Sequence, residues 1–193
     1  MLKISFLSSL LAFSLLLGGC SSEKTKTDTQ NSATQKANAL LAKNEIVLRS
    51  TNDKEYVLKK TDKGFKLENE KEKLLILDVF ATWCPPCQAE APHLSSLQQK
   101  FKDKITIIGV SIEDNIPNEK LETFKKVHNA NYTLVNSSAN RKLVNDLAEM
   151  LKLGSNFGIP LLVIYKDGKL IHYYQGAVEE EFIESDIKRA LGI

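Results

Sequence analysis

Residues 74–87 read LLILDVFATWCPPC, and this stretch decides the fold. Residues 74–80 are apolar except for Asp78, a composition typical of a strand that is covered on both faces. Beyond the two cysteines, apolar residues recur at helical spacing, at Ala89, Leu94, Leu97 and Phe101. The close pair Cys84 and Cys87 is therefore predicted to lie where a buried strand leads into a helix.

Strands and helices alternate around this stretch. Further strands are predicted at residues 105–110, 132–135, 161–165 and 170–174, and further helices at residues 121–127, 141–151 and 178–191. Asp167-Gly168, between the last two strands, is a strong signal for a hairpin turn. Short apolar groups near residues 46–48, 56–58 and 65–67 predict an N-terminal β-hairpin extension. The alternation predicts an α/β domain whose sheet is largely covered.

Residues 1–19 have the features of a lipoprotein signal peptide. Lys3 precedes an apolar segment at residues 4–17, which is too short to be read as a membrane-spanning helix. The sequence LGGC that ends at Cys20 resembles the bacterial lipobox, in which the cysteine is acylated and becomes the first residue. We therefore expect a membrane-anchored lipoprotein on the periplasmic or extracytoplasmic side. The alternative is an uncleaved signal anchor with a free thiol at Cys20.

The segment after Cys20 is predicted to be a tether. Residues 21–39 have no aromatic and almost no branched aliphatic side chain, so they bury too little apolar area to offset the entropy of ordering. The chain is thus divided into the signal peptide, a lipidated flexible tether at residues 20–44, and a domain at residues 45–193.

Composition argues against several classes of function. The formal net charge is +2 and the acidic and basic residues are interleaved, so no nucleic-acid partner is predicted. With Cys20 acylated, Cys84 and Cys87 are the one remaining cysteine pair, which excludes a structural disulfide framework. The three histidines lack metal-ligand spacing, so neither a metal nor another cofactor is predicted.

Five landmarks over residues 74–193 resemble the thioredoxin superfamily. They are the Trp-Cys-x-x-Cys motif at Trp83-Cys84-Pro85-Pro86-Cys87, the buried-carboxylate position at Asp78, the helix-kinking proline at Pro92, the cis-proline loop at Gly158-Ile159-Pro160 and the Gly176-Ala177 pair before the last helix. The resemblance implies a thioredoxin-like fold with a central mixed β-sheet flanked by helices. It also implies a thiol-disulfide oxidoreductase.

Two features resemble the membrane-tethered TlpA and ResA type of this superfamily. The segment between Val110 and Gly158 is longer than a thioredoxin requires, which implies a TlpA-type insertion, and residues 80–87 are similar to the active-site stretch of that type. Asp78 and Leu161 depart from it, since an amide and a threonine are usual at these positions. Members of this type are mostly extracytoplasmic reductants.

The two cysteines are predicted to have different roles. Cys84 is the expected nucleophile, because a helix N-terminus offers unpaired N–H groups and the positive end of the helix dipole. Pro85 and Pro86 have no N–H, so the nearest backbone donor for its sulfur belongs to Cys87. Cys87 itself is the expected resolving thiol, buried on the same helix face.

Two carboxylates complete the predicted catalytic set. Asp78 is the candidate proton acceptor for Cys87, because burial raises the pKa of a carboxyl toward that of a useful base. A hydrogen-bonded aspartate without a catalytic part is the alternative for Asp78. Glu90 matches a carboxylate of the TlpA and ResA type, and a solvated helix residue is the alternative there.

The predicted substrate-binding residues are Trp83, Ile159 and Pro160. By resemblance, the Ile159-Pro160 bond is expected to be cis, facing the dithiol and leaving the Ile159 backbone free to pair with a substrate peptide. Trp83 is expected to cap the site, with simple packing as the alternative. His93 is interpreted as a surface helix residue.

The leading hypothesis is a reductase of periplasmic protein disulfides, including those of apocytochrome c, recharged by a membrane dithiol donor. A disulfide oxidant would use the same cysteines in the opposite direction, and only the reduction potential separates the two. The alternative of another class is a non-enzymatic metallochaperone or binding lipoprotein, although copper-handling relatives of this fold have three residues between the cysteines and this chain has two.

Overall fold

The computed structural model describes residues 44–68, 70, 73–154 and 156–193. The predicted signal peptide, Cys20 and nearly all of the predicted tether lie outside these residues. Within the described part of the chain, no helix has the length and apolar character needed to cross a bilayer.

The described residues contain eight strands and four helices, joined by turns and loops. The strands are β1 (Glu45–Arg49), β2 (Glu55–Thr61), β3 (Gly64–Leu67), β4 (Leu74–Phe80), β5 (Ile105–Ser111), β6 (Thr133–Val135), β7 (Leu161–Lys166) and β8 (Lys169–Gln175). The helices are α1 (Pro85–Lys100), α2 (Asn118–Val127), α3 (Asn140–Leu151) and α4 (Glu180–Leu191).

The central sheet has the order β6-β5-β4-β7-β8. Strands β4, β5 and β6 are parallel, whereas β7 and β8 are antiparallel to their neighbours. The prediction of an α/β, thioredoxin-like fold with a mixed sheet is confirmed. Asp167 and Gly168 both have positive φ, 51° and 78°, as a tight hairpin turn between β7 and β8 requires.

The N-terminal extension is larger than a hairpin. Strands β1, β2 and β3 form a separate antiparallel three-stranded sheet, in which β3 pairs with β2 and buries Phe65 and Leu67. The last helix begins two residues later than predicted. The N–H of Val178 is bonded to Glu90 and Glu179 has extended backbone, so α4 starts at Glu180.

Strand β4 separates two hydrophobic cores. Successive side chains of a strand point to opposite faces. Leu74, Ile76 and Phe80 pack in one core with residues of α1, α2 and α4, which we call the front face. Leu75, Leu77 and Val79 pack in the other with residues of β1–β3 and α3, which we call the back face. Asp78 lies between Ile76 and Phe80 in this alternation and therefore points to the front face.

Candidate active site

The dithiol stands at the first turn of α1, as predicted. Cys84 is the N-cap residue with extended backbone, φ −87° and ψ 109°, and Pro85 and Pro86 occupy the first two helical positions. The backbone N–H of Cys87 donates to Sγ of Cys84 at 3.3 Å. The expected donor to the Cys84 sulfur is therefore confirmed, and the two cysteines are joined in a disulfide.

Burial is similar for the two cysteines in this disulfide. Cys84 is 3% exposed and Cys87 is 4% exposed, whereas the neighbouring Trp83 is 62% exposed. The expected burial of Cys87 is confirmed, but the sulfur of Cys84 is covered as well. An indole that served packing alone would be buried, so the exposure of Trp83 leaves its ring available to a partner.

The loop before β7 approaches the dithiol. The Ile159-Pro160 bond is cis, as the resemblance implies, and the carbonyl oxygen of Ile159 lies 3.8 Å from Sγ of Cys84. The carbonyl of Pro160 accepts a 2.8 Å hydrogen bond from the N–H of Gly176, which ties this loop to the end of β8. The structure thus brings the predicted substrate-binding backbone next to the predicted nucleophile.

Two buried carboxyls lie on the front face of the sheet. Asp78 and Glu90 are each 2% exposed. Asp78 reaches this face by the alternation of β4, and Glu90 reaches it because it is three residues beyond Cys87 on the sheet-facing side of α1. The interpretation of Glu90 as a solvated helix residue is therefore wrong.

Burial raises the pKa of both carboxyls. It brings the pKa of Asp78 to about 7, against the lowering effect of a hydrogen bond from Tyr132. It brings the pKa of Glu90 to about 8, with the charge of Asp78 adding to the increase and the N–H of Val178 opposing it. Ionisation of both groups near neutral pH is therefore unfavourable, because the second charge would be added to the same interior.

The hydrogen bonds of the two carboxyls are incomplete. The hydroxyl of Tyr132 donates to Oδ2 of Asp78 at 2.8 Å, and the N–H of Val178 donates to Oε1 of Glu90 at 3.1 Å. The other oxygens, Oδ1 of Asp78 and Oε2 of Glu90, are buried without a partner among the described residues. A carboxyl with a free oxygen and a pKa near neutral is suited to taking up and releasing a proton.

Tyr132 was not recognised from the sequence as part of the site. The signal that could have identified it is a glycine in a buried strand, because such a glycine often marks a close approach of other atoms. Gly109 pairs with Asp78 in the sheet, and a Cβ at Gly109 would lie 3.0 Å from the ring of Tyr132. Gly109 thus leaves room for the tyrosine that reaches Asp78.

His93 differs from its expected surface position. It is half-buried on α1, and its Nδ1 is buried with no hydrogen-bond partner in the described part of the chain. The same residues contain no group of three or more side chains arranged to hold a metal ion.

The loop before Cys84 has partners that the sequence did not reveal. The N–H and hydroxyl of Thr82 both donate to Oε2 of Glu113, at 2.7 and 2.8 Å. Glu113 belongs to the connection between β5 and α2, 31 residues further along the chain. No local pattern links the two positions.

Known proteins resemble this chain in sequence and in structure. The Redoxin family model matches residues 50–191. The chloroplastic thioredoxin Y of Oryza sativa is 30% identical over 128 residues, which cover 66% of this chain and 57% of that protein. The thiol-disulfide oxidoreductase ResA of Bacillus subtilis is 25% identical over 148 residues, which cover 76% of this chain and 78% of that protein. The chain thus spans little more than half of the rice protein.

A solved structure shares the fold. A thiol:disulfide interchange protein of the thioredoxin family from Chlorobium tepidum superposes with a TM-score of 0.61 at 20% identity, covering 77% of this chain and 94% of that one. The family match spans both the cysteine pair and the cis-proline loop. This chain therefore belongs to the Redoxin family within the thioredoxin superfamily, and it is a ResA-like thiol-disulfide oxidoreductase with a Cys-x-x-Cys pair.

Proposed function

We propose that the protein is an extracytoplasmic reductase of protein disulfides. Cys84 acts as the nucleophile and Cys87 as the resolving thiol. The observation that carries this proposal is the position of the pair: a sulfur at a helix N-terminus, a backbone carbonyl 3.8 Å away, and two buried carboxyls on the same side of the sheet.

The reaction requires two exchanges between sulfurs. The thiolate of Cys84 attacks one sulfur of the substrate disulfide, a mixed disulfide forms, and the other substrate sulfur leaves as a thiolate. The thiolate of Cys87 then attacks Sγ of Cys84, which releases the second substrate sulfur and closes the Cys84–Cys87 disulfide. Two electrons pass to the substrate, and the protein dithiol is oxidised.

The second exchange requires that Cys87 lose a proton inside the protein. A buried thiol ionises reluctantly, so a nearby base accelerates the step. Asp78 has a pKa of about 7. Its free oxygen, Oδ1, lies on the front face of the sheet, and Cys87 on α1 packs in the core of the same face. We assign Asp78 as the proton acceptor and Glu90 as the group that shares its proton.

Substrate binding is assigned to the surface around the disulfide. The backbone of Ile159, before the buried Pro160, is placed to pair with an extended segment of the substrate. Trp83, which precedes Cys84 in the chain, offers an exposed aromatic ring. Main-chain pairing gives affinity without strict sequence preference, which suits an enzyme with several protein substrates, apocytochrome c among them.

The proposed location rests on the N-terminal sequence. The predicted signal peptide at residues 1–19 and the resemblance of the sequence ending at Cys20 to a lipobox support export and acylation. Two or more acyl chains provide stable membrane anchoring, whereas one chain is only marginal. An anchored reductase outside the cytoplasm has to be recharged there, so we assign a membrane dithiol as its electron donor.

The reduction potential tests the direction of electron flow. We expect a value near that of thioredoxin, about −270 mV, and a value near that of DsbA, about −120 mV, would indicate an oxidant. The reduced protein should also reduce the disulfides of insulin. Stoichiometric copper binding without insulin reduction would instead favour a metallochaperone.

Trapping identifies the substrates. In Cys87→Ala, Cys84 still forms mixed disulfides but none is resolved, so bound partners accumulate and can be identified by mass spectrometry. Extracytoplasmic proteins with cysteine pairs are the expected partners. Recovery of cytoplasmic proteins alone from intact cells would contradict the proposed location.

A further inference from the structure

The loop that presents Cys84 is held by a side chain from another part of the chain. Residues 81–84 connect β4 to α1 and belong to neither. The N–H of Cys84 donates to the carbonyl of Ala81 at 3.2 Å, but the N–H of Thr82 has no such partner within the loop. Its partner is Oε2 of Glu113, which also accepts the Thr82 hydroxyl.

Thr82 is bonded on its other side as well. Its carbonyl accepts a 2.7 Å hydrogen bond from Nε2 of Gln88 on the first turns of α1. Every polar group of Thr82 therefore has a partner, and the side chain is only slightly exposed. A residue fixed through its donors and its acceptor leaves the following two residues, Trp83 and Cys84, little freedom.

Glu113 is itself kept charged and in place. Its N–H donates to the hydroxyl of Ser111 at 3.1 Å, and Nζ of Lys120 on α2 lies 2.5 Å from its Oε1. Partial burial raises the pKa of Glu113, but the hydrogen bonds from Lys120 and Thr82 outweigh burial and hold that pKa below its ordinary value. Charge-assisted hydrogen bonds of this kind are shorter and stronger than neutral ones.

We propose that Glu113 is a positioning residue for the reaction. By holding Thr82, it fixes Cys84 in the N-cap geometry in which its sulfur accepts the N–H of Cys87. Glu113 does not touch the reacting sulfurs, and its effect passes through the loop. This inference rests on the proposed role of Cys84 as the nucleophile.

The pKa of Cys84 in the reduced protein distinguishes positioning from simple charge. If Glu113 positions the loop, its removal loosens the N-cap, and the thiolate of Cys84 loses part of its stabilisation. The pKa of Cys84 then rises. If Glu113 acted only through its negative charge, its removal would favour the thiolate, and the pKa of Cys84 would fall.

The test follows the alkylation of Cys84 by iodoacetamide as a function of pH, with the labelled cysteine identified by mass spectrometry. We expect Glu113→Ala to raise the midpoint by about half a unit or more. Glu113→Gln keeps an oxygen that can accept from Thr82, so it should give a smaller increase. An unchanged or lowered midpoint in Glu113→Ala would overturn the proposal.

The neighbouring Asp114 provides a matched control. Its side chain is 57% exposed and paired with Arg141, and Asp114→Ala removes the same charge at the next position without touching the loop. We expect no change in the midpoint for Asp114→Ala. An increase as large as that of Glu113→Ala would show a nonspecific effect and contradict positioning by Glu113.

Trp83 gives a second readout, since it is the one tryptophan in the sequence. When it is excited at wavelengths that the tyrosines do not absorb, its fluorescence anisotropy reports on the loop between Thr82 and Cys84. We expect lower anisotropy in Glu113→Ala than in the wild type and in Asp114→Ala. Equal anisotropy in all three folded proteins would overturn the proposal.

If Glu113→Ala does not fold, Thr82→Val serves instead, because it removes the hydroxyl bond without changing any charge. The expected result is a smaller rise in the Cys84 midpoint, and no rise would count against the proposal. Neither alkylation nor anisotropy needs a protein substrate. A wild-type protein that fails to reduce insulin would therefore refute the proposed reductase, while these measurements would still decide the role of Glu113.

Discussion

The two faces of strand β4 have different roles. On the back face, Leu75, Leu77 and Val79 pack against apolar side chains of the three-stranded sheet and α3. On the front face, the same strand places Asp78 in the interior between Ile76 and Phe80. The side chains on the back face thus stabilise the fold. On the front face, burial of Asp78 lowers stability when this carboxyl is ionised, but it also raises the pKa of the carboxyl to near neutral.

This difference has a physical cost that can be measured. Burial of an apolar side chain stabilises the folded state, by about 1.5–3 kcal/mol for a leucine. Burial of an ionised carboxyl destabilises the folded state, which is why the pKa of Asp78 is raised. We expect substitutions on the front face to change chemistry and its pH dependence, and those on the back face to change stability alone.

The largest effect is expected for Cys84→Ser. Loss of the nucleophile should lower the rate of insulin reduction at least about a thousandfold, because the oxygen is a far poorer nucleophile than the thiolate. The free energy of unfolding of the reduced protein should change little, since the two side chains have similar volumes. Residual activity above one tenth of the wild type would place the nucleophile elsewhere.

Leu77→Ala should have the opposite profile. Leu77 is fully buried in the back-face core, and its truncation leaves a cavity that costs about 2–5 kcal/mol of unfolding free energy, measured by urea denaturation. The rate of insulin reduction per folded molecule and the pH dependence of that rate should match the wild type. A shifted pH profile in this variant would show that the two faces are not independent.

Asp78→Asn should increase stability while impairing the reaction. A carboxyl whose folded pKa is raised, here from 3.8 to about 7, contributes stability below the unfolded pKa and loses it as pH rises through the folded pKa. At about 1.36 kcal/mol per pKa unit, the variant should gain about 2–4 kcal/mol above neutral pH and little below the unfolded pKa. Release of a trapped mixed disulfide should become slower and lose its dependence on pH near neutrality.

Asp146 on α3 is a control for the sign of this effect. Burial raises the pKa of Asp146, but hydrogen bonds from Lys142 and Lys60 outweigh it, so that this pKa lies below its ordinary value. Asp146→Asn should therefore lose stability above the ordinary carboxyl pKa, with the loss disappearing in acid. If Asp78→Asn were also destabilised at neutral pH, the raised pKa of Asp78 would be wrong.

The parts of the site that could be predicted from sequence are close together in the chain. Cys84, Pro85, Pro86 and Cys87 fix a helix start by themselves, since two prolines leave the N–H of Cys87 as the first donor. Asp78 was recognised because it interrupts an apolar strand just before the cysteines and matches the buried-carboxylate position of the thioredoxin superfamily. The fold class followed from local periodicity repeated along the chain.

The parts that could not be predicted depend on distant contacts. Tyr132 lies 54 residues from Asp78, and Glu113 lies 31 residues from Thr82. Thr82 and Glu113 meet because the parallel strands β4 and β5 end side by side. Tyr132 reaches Asp78 because it directly precedes β6, and its ring crosses β5 at Gly109. A tyrosine or a glutamate in an ordinary loop carries no local signal of such a partner.

The smallest effect is expected for Tyr132→Phe, which tests the front face most finely. The Tyr132 hydroxyl lowers the pKa of Asp78, so its loss should raise that pKa further, and the pH at which mixed-disulfide release accelerates should increase by about 0.5–1 unit. The cost in unfolding free energy should be only about 0.5–1.5 kcal/mol. Tyr56, which packs against the back-face core and shares a hydrogen bond with Thr133, is the matched control, and Tyr56→Phe should leave the profile unchanged. An identical pH profile in wild type and Tyr132→Phe would mean that Asp78 does not accept the proton of Cys87, because the Tyr132 hydroxyl is the group that lowers the pKa of Asp78.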